Sequence, residues 1–255
     1  MILSIDVGNT NICIGAYSEG ERLFVCHILT EPDKTEVEYA MLFHHILHLH
    51  RQSEQDLEGA IISSVVPPLS PVLKAALQLC GAGRVLQVGP GIKTGLNIRI
   101  DNPAQLGADF VAAAIGVMDR YPLPAIIVDL GTATKISVVD RSRTFIGGSI
   151  MPGVKVSLDA LSNRAAQLPH ISLEGPAPVI GTNTVDSMKS GVLLGAASMI
   201  DGMIARYEEA AGPAASVVAC GALADVVVPL CRHRITVDST LRIDGLYAAW
   251  RKNSV

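Results

Sequence analysis

The chain opens on three short apolar runs, MILSIDVG, ICIGAYS and ERLFVCHIL, with Gly8-Asn9-Thr10 between the first two. That pattern predicts three strands in an antiparallel meander. Residues 35 to 51 then set Tyr39, Leu42, Phe43, Ile46 and Leu49 at helical spacing. GAIISSVV (59–66) reads as a buried strand closed by Pro67-Pro68, PVLKAALQLC as a helix, and RVLQVG as another strand. The alanine-rich stretch from Gly107 to Arg120 predicts a helix that stops before Tyr121-Pro122.

The order then repeats. AIIVDLG, KISVVDR and TFIGGSIM predict three more strands, and Pro152-Gly153 introduces a helix near residues 154 to 166. A long helix is expected from about Thr184 to Ala211, then the strand SVVACGA and a helix from about Leu223. IDVGNT (5–10) and VDLGTA (128–133) open the two halves on the same device, an apolar strand ending in Asp before a glycine turn. Arg120 to Pro124 is the expected boundary, giving domains 1–120 and 121–255. A duplicated meander-plus-helices unit is the organisation of the actin-like (ribonuclease H-like) α/β ATPases, with the sugar kinases and Hsp70. A doubly wound sheet would need parallel βαβ units from the start, which the opening meander disfavours.

Composition narrows the function classes. The chain has 255 residues, 49% of them hydrophobic but only 4% aromatic, so small aliphatic side chains fill the interior. A net charge of −4 and a pI near 6.0 leave no electrostatic footprint for nucleic acid or an acidic membrane surface. No run approaches the length of apolar residues that a membrane span needs. Asp6 inside the first apolar run reads as part of a strand, against a signal peptide. The five cysteines lack any C-x-x-C spacing and read as reduced core thiols of a cytoplasmic protein.

Some motifs lose to simpler readings. GPGIKTG (89–95) is not a phosphate-binding loop of the G-x-x-x-x-G-K-[ST] type, because Ile92 separates Gly91 from Lys93 and strand-like LNIRID follows. His44 and His48 in HHILHLH share a helix face but have no third zinc ligand in the pattern. The paired acidic turns carry more. A buried strand-end Asp is costly unless it meets a cation, and here it occurs twice. Gly8 and Gly131 permit close approach, while Asn9, Thr10, Thr132 and Thr134 offer donors for phosphate oxygens. Two such carboxylates suit Mg²⁺ and a phosphate chain, hence nucleotide phosphoryl transfer. In GADF (107–110), Asp109 opens a helix, where it either favours the helix dipole or serves as a base. GTNTVDSMKSG (181–191) predicts a polar loop with Thr184 as a cap.

Taken in order, DVGNTN (6–11), IKTGLNI (92–98), DNPAQLGAD (101–109), DLGTAT (129–134), GGSIMPG (147–153), GTNTVDSMKSG and CGAL (220–223) resemble the type III pantothenate kinases across the whole chain. The resemblance implies an actin-like fold and a homodimer. It implies ATP-dependent phosphorylation of the pantothenate 4′-hydroxyl, the first step toward coenzyme A, with Mg²⁺ and a monovalent cation, potassium or ammonium. By position, Asp6, Val7, Gly8, Asn9, Thr10, Asn11, Ile12 and Cys13 resemble the ATP phosphate loop, and Thr132 a second nucleotide contact. Asp109 resembles the catalytic base, and the resemblance implies that Ile100, Gly107, Ala108, Asp109, Phe110 and Thr184 line the substrate site, with Thr184 near the subunit interface. Asp129 resembles the monovalent-cation ligand, so activity should depend on potassium or ammonium. Phe110, Ile100 and Lys135 stand where the family typically has Arg, Tyr and Thr. A kinase for a related hydroxyl substrate, or a nucleotide-binding relative without catalysis, stays open at this point.

Overall fold

Strand β1 (Ile2–Val7) is buried on both faces along its whole length, which places it in the middle of a sheet. In the computed structural model, which describes residues 1–254, β1 runs antiparallel to β2 (Asn11–Ser18), and β2 antiparallel to β3 (Glu21–Leu29). On its other edge β1 pairs in parallel with β4 (Gly59–Ser64), and β4 with β5 (Arg84–Gln87). The sheet order is therefore β3-β2-β1-β4-β5. Alternation divides β1 between two faces. Leu3, Ile5 and Val7 join the core with Ile12, Ile14, Phe43, Leu47, Leu73 and Leu77. Ser4 and Asp6 point to the opposite face.

The second sheet repeats the meander. β7 (Ala125–Leu130), again buried throughout, runs antiparallel to β8 (Ala133–Val139), and β8 to β9 (Thr144–Pro152). β10 (Ser216–Cys220) and the short β11 (Thr236–Val237) extend the other edge in parallel, and β6 (Asn97–Ile98) pairs with β9. The order is β11-β10-β7-β8-β9-β6. Each meander has a register irregularity in its outer pair, at Ala16/Tyr17 and at Val138/Val139. The duplication thus extends to the bulge.

Two compact units result. The first comprises residues 1–96, 101–120 and the stretch from Thr240; the second comprises 97–100 and 121–239. The expected second domain, 121–255, therefore loses its last segment to the first unit. The reason is a C-terminal helix, Leu241–Asn253, that the sequence reading had not placed. It lies on the Asp6 face of the first sheet through glycine windows. A Cβ on Gly15 would sit 2.1 Å from Ile243 Cγ2, and one on Gly59 would sit 2.4 Å from the Trp250 ring. The same helix crosses Ala108–Arg120 closely, because a Cβ on Gly245 would approach the Ala112 carbonyl oxygen to 2.1 Å. Gly245→Ala should therefore destabilise the protein by about 1 to 3 kcal/mol, since backbone must move. Urea unfolding checks this; a gain of about 1 kcal/mol from helix propensity alone would show that the crossing is loose.

In the second unit, Asn183 and not Thr184 caps the helix: its side chain accepts from the Asp186 N–H, and Thr184 is the first helical residue. The helical run Thr184–Ala211 passes through a π turn at Ser190–Leu194. At 28 residues it is long and apolar enough to cross a membrane by length and composition alone. Its Met188, Val192, Leu193, Ala197, Ile200 and Ile204 belong to the same core cluster as Val128, Leu130, Ile136 and Ala219. The predicted helix after Leu223 is brief, Ala224–Val227.

Candidate functional site

The first acidic turn begins where β1 ends. Asp6 is only 3% exposed, and Arg242 from the C-terminal helix sets its Nε 3.0 Å from Asp6 Oδ2. A carboxylate this buried requires a counter-charge, and a helix distant in sequence supplies it. The turn itself is pinned by the Gly8 N–H donating to the Asn11 carbonyl (3.0 Å) and by the Thr30 hydroxyl donating to the Gly8 carbonyl (2.7 Å). A Cβ on Gly8 would meet the same Asn11 oxygen at 3.0 Å, so glycine suits the close approach. Asn9, Thr10 and Asn11 are exposed, whereas Val7, Ile12 and Cys13 are buried. Of the expected phosphate loop, then, only Gly8 to Asn11 present themselves to solvent, and the others position them. Cys13 lies opposite Asp6 in the register, and burial, followed by the Asp6 charge, pushes its thiol up to about 12. It is no nucleophile at neutral pH.

The second acidic turn follows β7. Asp129, 5% exposed, lies directly across the hairpin from Lys135, whose Nζ is 2.8 Å from Asp129 Oδ2. Thr132 is exposed at the tip. Two glycine motifs noted in the sequence converge on this turn. A Cβ on Gly153, from GGSIMPG, would fall 2.2 Å from the Thr132 carbonyl oxygen. Gly221, from CGAL, has φ near 96°, and a Cβ there would fall 2.8 Å from Asp129 Oδ1. Both are glycine because the turn leaves no room for anything larger.

Asp109 lies in the first turn of the helix Ala108–Arg120, half-buried, with the Phe110 N–H donating to its Oδ1 at 2.9 Å. Gly107 shapes that position, since a Cβ there would come within 2.5 Å of Asp109 Oδ1. The preceding DNPAQL forms a short 3₁₀ turn capped by Asn102, which accepts from the Ala104 N–H. Gly107, Ala108, Asp109 and Phe110 are thus one structural piece of the first unit. Ile100 belongs to the second unit, as does Thr184. Thr184 is exposed on the rim of an open cavity of about 480 Å³, which Leu161, Leu168, Asn183 and Met188 also line.

The rejected motifs have structural uses. The loop 89–95 is held by Asn253, which accepts from the Lys93 N–H and donates to its carbonyl, and by Lys252 Nζ on the Thr94 carbonyl. His44 pairs with Glu54 at 3.2 Å, and among the described residues no three His, Cys, Asp or Glu side chains cluster as metal ligands. Sequence reasoning missed Arg242, and no signal pointed to it: it is one basic residue on a late helix, and only the tertiary packing brings it to Asp6.

Residues 2–206 match the sequence profile of the type III pantothenate kinases. A type III pantothenate kinase from Halalkalibacterium halodurans is 40% identical over 253 residues, covering 99% of this chain and 100% of that protein. Among solved structures, component A of (R)-2-hydroxyglutaryl-CoA dehydratase from Acidaminococcus fermentans superposes with a TM-score of 0.61 at 16% identity, covering 100% and 99% of the two chains. A ROK family glucokinase from Streptomyces griseus superposes with a TM-score of 0.52 at 14% identity, covering 97% of each. These likenesses show the actin-like ATPase fold. The chain belongs to the type III pantothenate kinase family.

Proposed function

We propose that each strand-end turn is a phosphate-binding element for ATP and that Asp109 receives the proton of the pantothenate hydroxyl. Members of this family phosphorylate pantothenate in coenzyme A biosynthesis, using ATP. The recurrence carries the assignment of the parts. In each unit a strand buried along its length ends in a buried, ion-paired Asp immediately before a glycine turn. In the first unit Gly8, Asn9, Thr10 and Asn11 offer backbone and side-chain donors to phosphate oxygens. In the second, Thr132 does the same from a turn that Gly153 and Gly221 pack tightly. Phosphoryl transfer asks mainly for positioning and charge stabilisation, so rigid turns suit it.

Mg²⁺ fits this donor set. Among the described residues there is no cage of three protein ligands, and Mg²⁺ characteristically takes one or two carboxylates together with substrate phosphates and water. The phosphates and water would hold most of its coordination, with Asp6 reaching it through water because its Oδ2 already pairs with Arg242, and the ion would supply charge neutralisation at the phosphates. Asp109 needs only to orient the hydroxyl and accept its proton as the new bond forms. A monovalent cation at Asp129 fits poorly, because Lys135 already places an ammonium on that carboxylate. A homodimer is part of the proposal. Val179 and Ile180, exposed by 79% and 82%, form an apolar step close in sequence to the Thr184 cavity and suit burial against a second copy. A coupled ATP-consumption assay tests the whole reading. Turnover should require pantothenate, vanish in excess EDTA and return with Mg²⁺; turnover persisting in EDTA would remove the metal from the reading.

A further inference from the structure

The counter-charge of the second turn is built into the chain. Asp129 and Lys135 are cross-strand partners of β7 and β8, so the hairpin register itself puts both side chains on one face. The pair is nearly dry, with side-chain exposures of 13% for Lys135 and 6% for Asp129. Gly221 packs against the other carboxylate oxygen, where even a Cβ would come within 2.8 Å of Oδ1. The first unit solves the same problem differently. Cys13 occupies the cross-strand position opposite Asp6, and the cation comes from Arg242 on another element. An ammonium nitrogen matches potassium in charge and closely in size. For potassium to reach Asp129 Oδ2 it would have to displace Lys135 from a nearly dry ion pair, which is costly.

We propose that Lys135 is a resident counter-ion for Asp129 that takes the place of a monovalent cation, so that phosphoryl transfer by this chain requires neither potassium nor ammonium. The inference rests on the role given above to the Asp129 turn at the ATP phosphates. It reverses the dependence on potassium expected from the family resemblance. Lys135 acts as a positioning residue, holding the carboxylate and its turn beside the nucleotide without touching the reacting atoms.

The test compares sodium, potassium and ammonium chloride at matched ionic strength, with ATP, Mg²⁺ and pantothenate. The wild-type kcat/KM should be the same in all three. Lys135→Thr, which removes the charge and leaves space for an ion, should lose about 5- to 150-fold in sodium, the usual span of coupling between two binding sites. It should recover in potassium or ammonium, and its melting temperature should rise in potassium over sodium while that of the wild type does not. Lys135→Arg keeps the charge and should remain indifferent to the salt; it decides the matter if the threonine variant fails to fold. Potassium activation of the wild type overturns the inference, as does a threonine variant whose rate and melting ignore potassium. Absence of wild-type turnover in every salt would sink the functional reading instead, and the potassium dependence of melting would still decide this one.

Discussion

Asp109→Asn is expected to lower turnover by about 10² to 10⁴-fold, the usual contribution of a positioned general base. Asparagine has nearly the same shape, and its amide oxygen can still accept from the Phe110 N–H, as Asp109 Oδ1 does at 2.9 Å. The fold should therefore stay intact. Losing a negative charge in the first helical turn costs only about 0.3 to 1 kcal/mol through the helix dipole. Gly107 packs against the same oxygen and tolerates the exchange because the atom positions hardly change. Three measurements separate chemistry from structure: kcat in the coupled assay, the urea midpoint, and nucleotide affinity. A large fall in kcat with little change in the other two supports the assignment. Near-wild-type turnover would take Asp109 out of the mechanism.

The sequence made the scaffold of this site legible and its counter-charges much less so. β1 and β7 were readable because strands buried on both faces must be continuous apolar runs, and a lone Asp at the end of each breaks that rule. The three-strand meanders followed from the turns between them. The C-terminal helix escaped because Leu241–Asn253 carries charges among its apolar residues and finds its place only through glycines on other elements. Arg242 escaped with it. The cap expected at Thr184 falls one residue earlier, at Asn183, since Asn and Thr are both good caps and local sequence cannot choose between them. Lys135 is the instructive case. Its charge was visible next to the second turn, but its partner depends on the hairpin register, where Asp129 faces Lys135 across a short loop. The equivalent loop in the first unit is longer and brings Cys13 opposite Asp6. One residue of loop length decides which side chain each carboxylate meets.

Phe110→Arg is expected to lower the Michaelis constant for pantothenate by about ten- to a hundredfold, the equivalent of one charge-assisted hydrogen bond of about 1.5 to 3 kcal/mol. Pantothenate carries a carboxylate, and a phenylalanine after the GAD motif cannot bind it. The basic residues near these motifs in sequence are constrained. Lys135 is committed to Asp129, with its Nζ 2.8 Å from the carboxylate. Arg99 belongs to the second unit, is 72% exposed in its side chain, and approaches Asp140 only to 3.9 Å. Lys93 sits in the loop that Asn253 holds by its backbone. Phe110 itself is half-buried in the first turn of its helix, next to Asp109, so a longer cationic side chain there can reach solvent or substrate. The effect should fall on binding and leave kcat nearly unchanged, because the substrate carboxylate is remote from the hydroxyl that reacts. Pantetheine, which lacks the carboxylate, provides the control. Its use should not improve and should worsen if the guanidinium is buried against it without a partner. A fall in kcat with an unchanged Michaelis constant would mean that the guanidinium has captured Asp109. No change with either substrate would place position 110 outside the pocket.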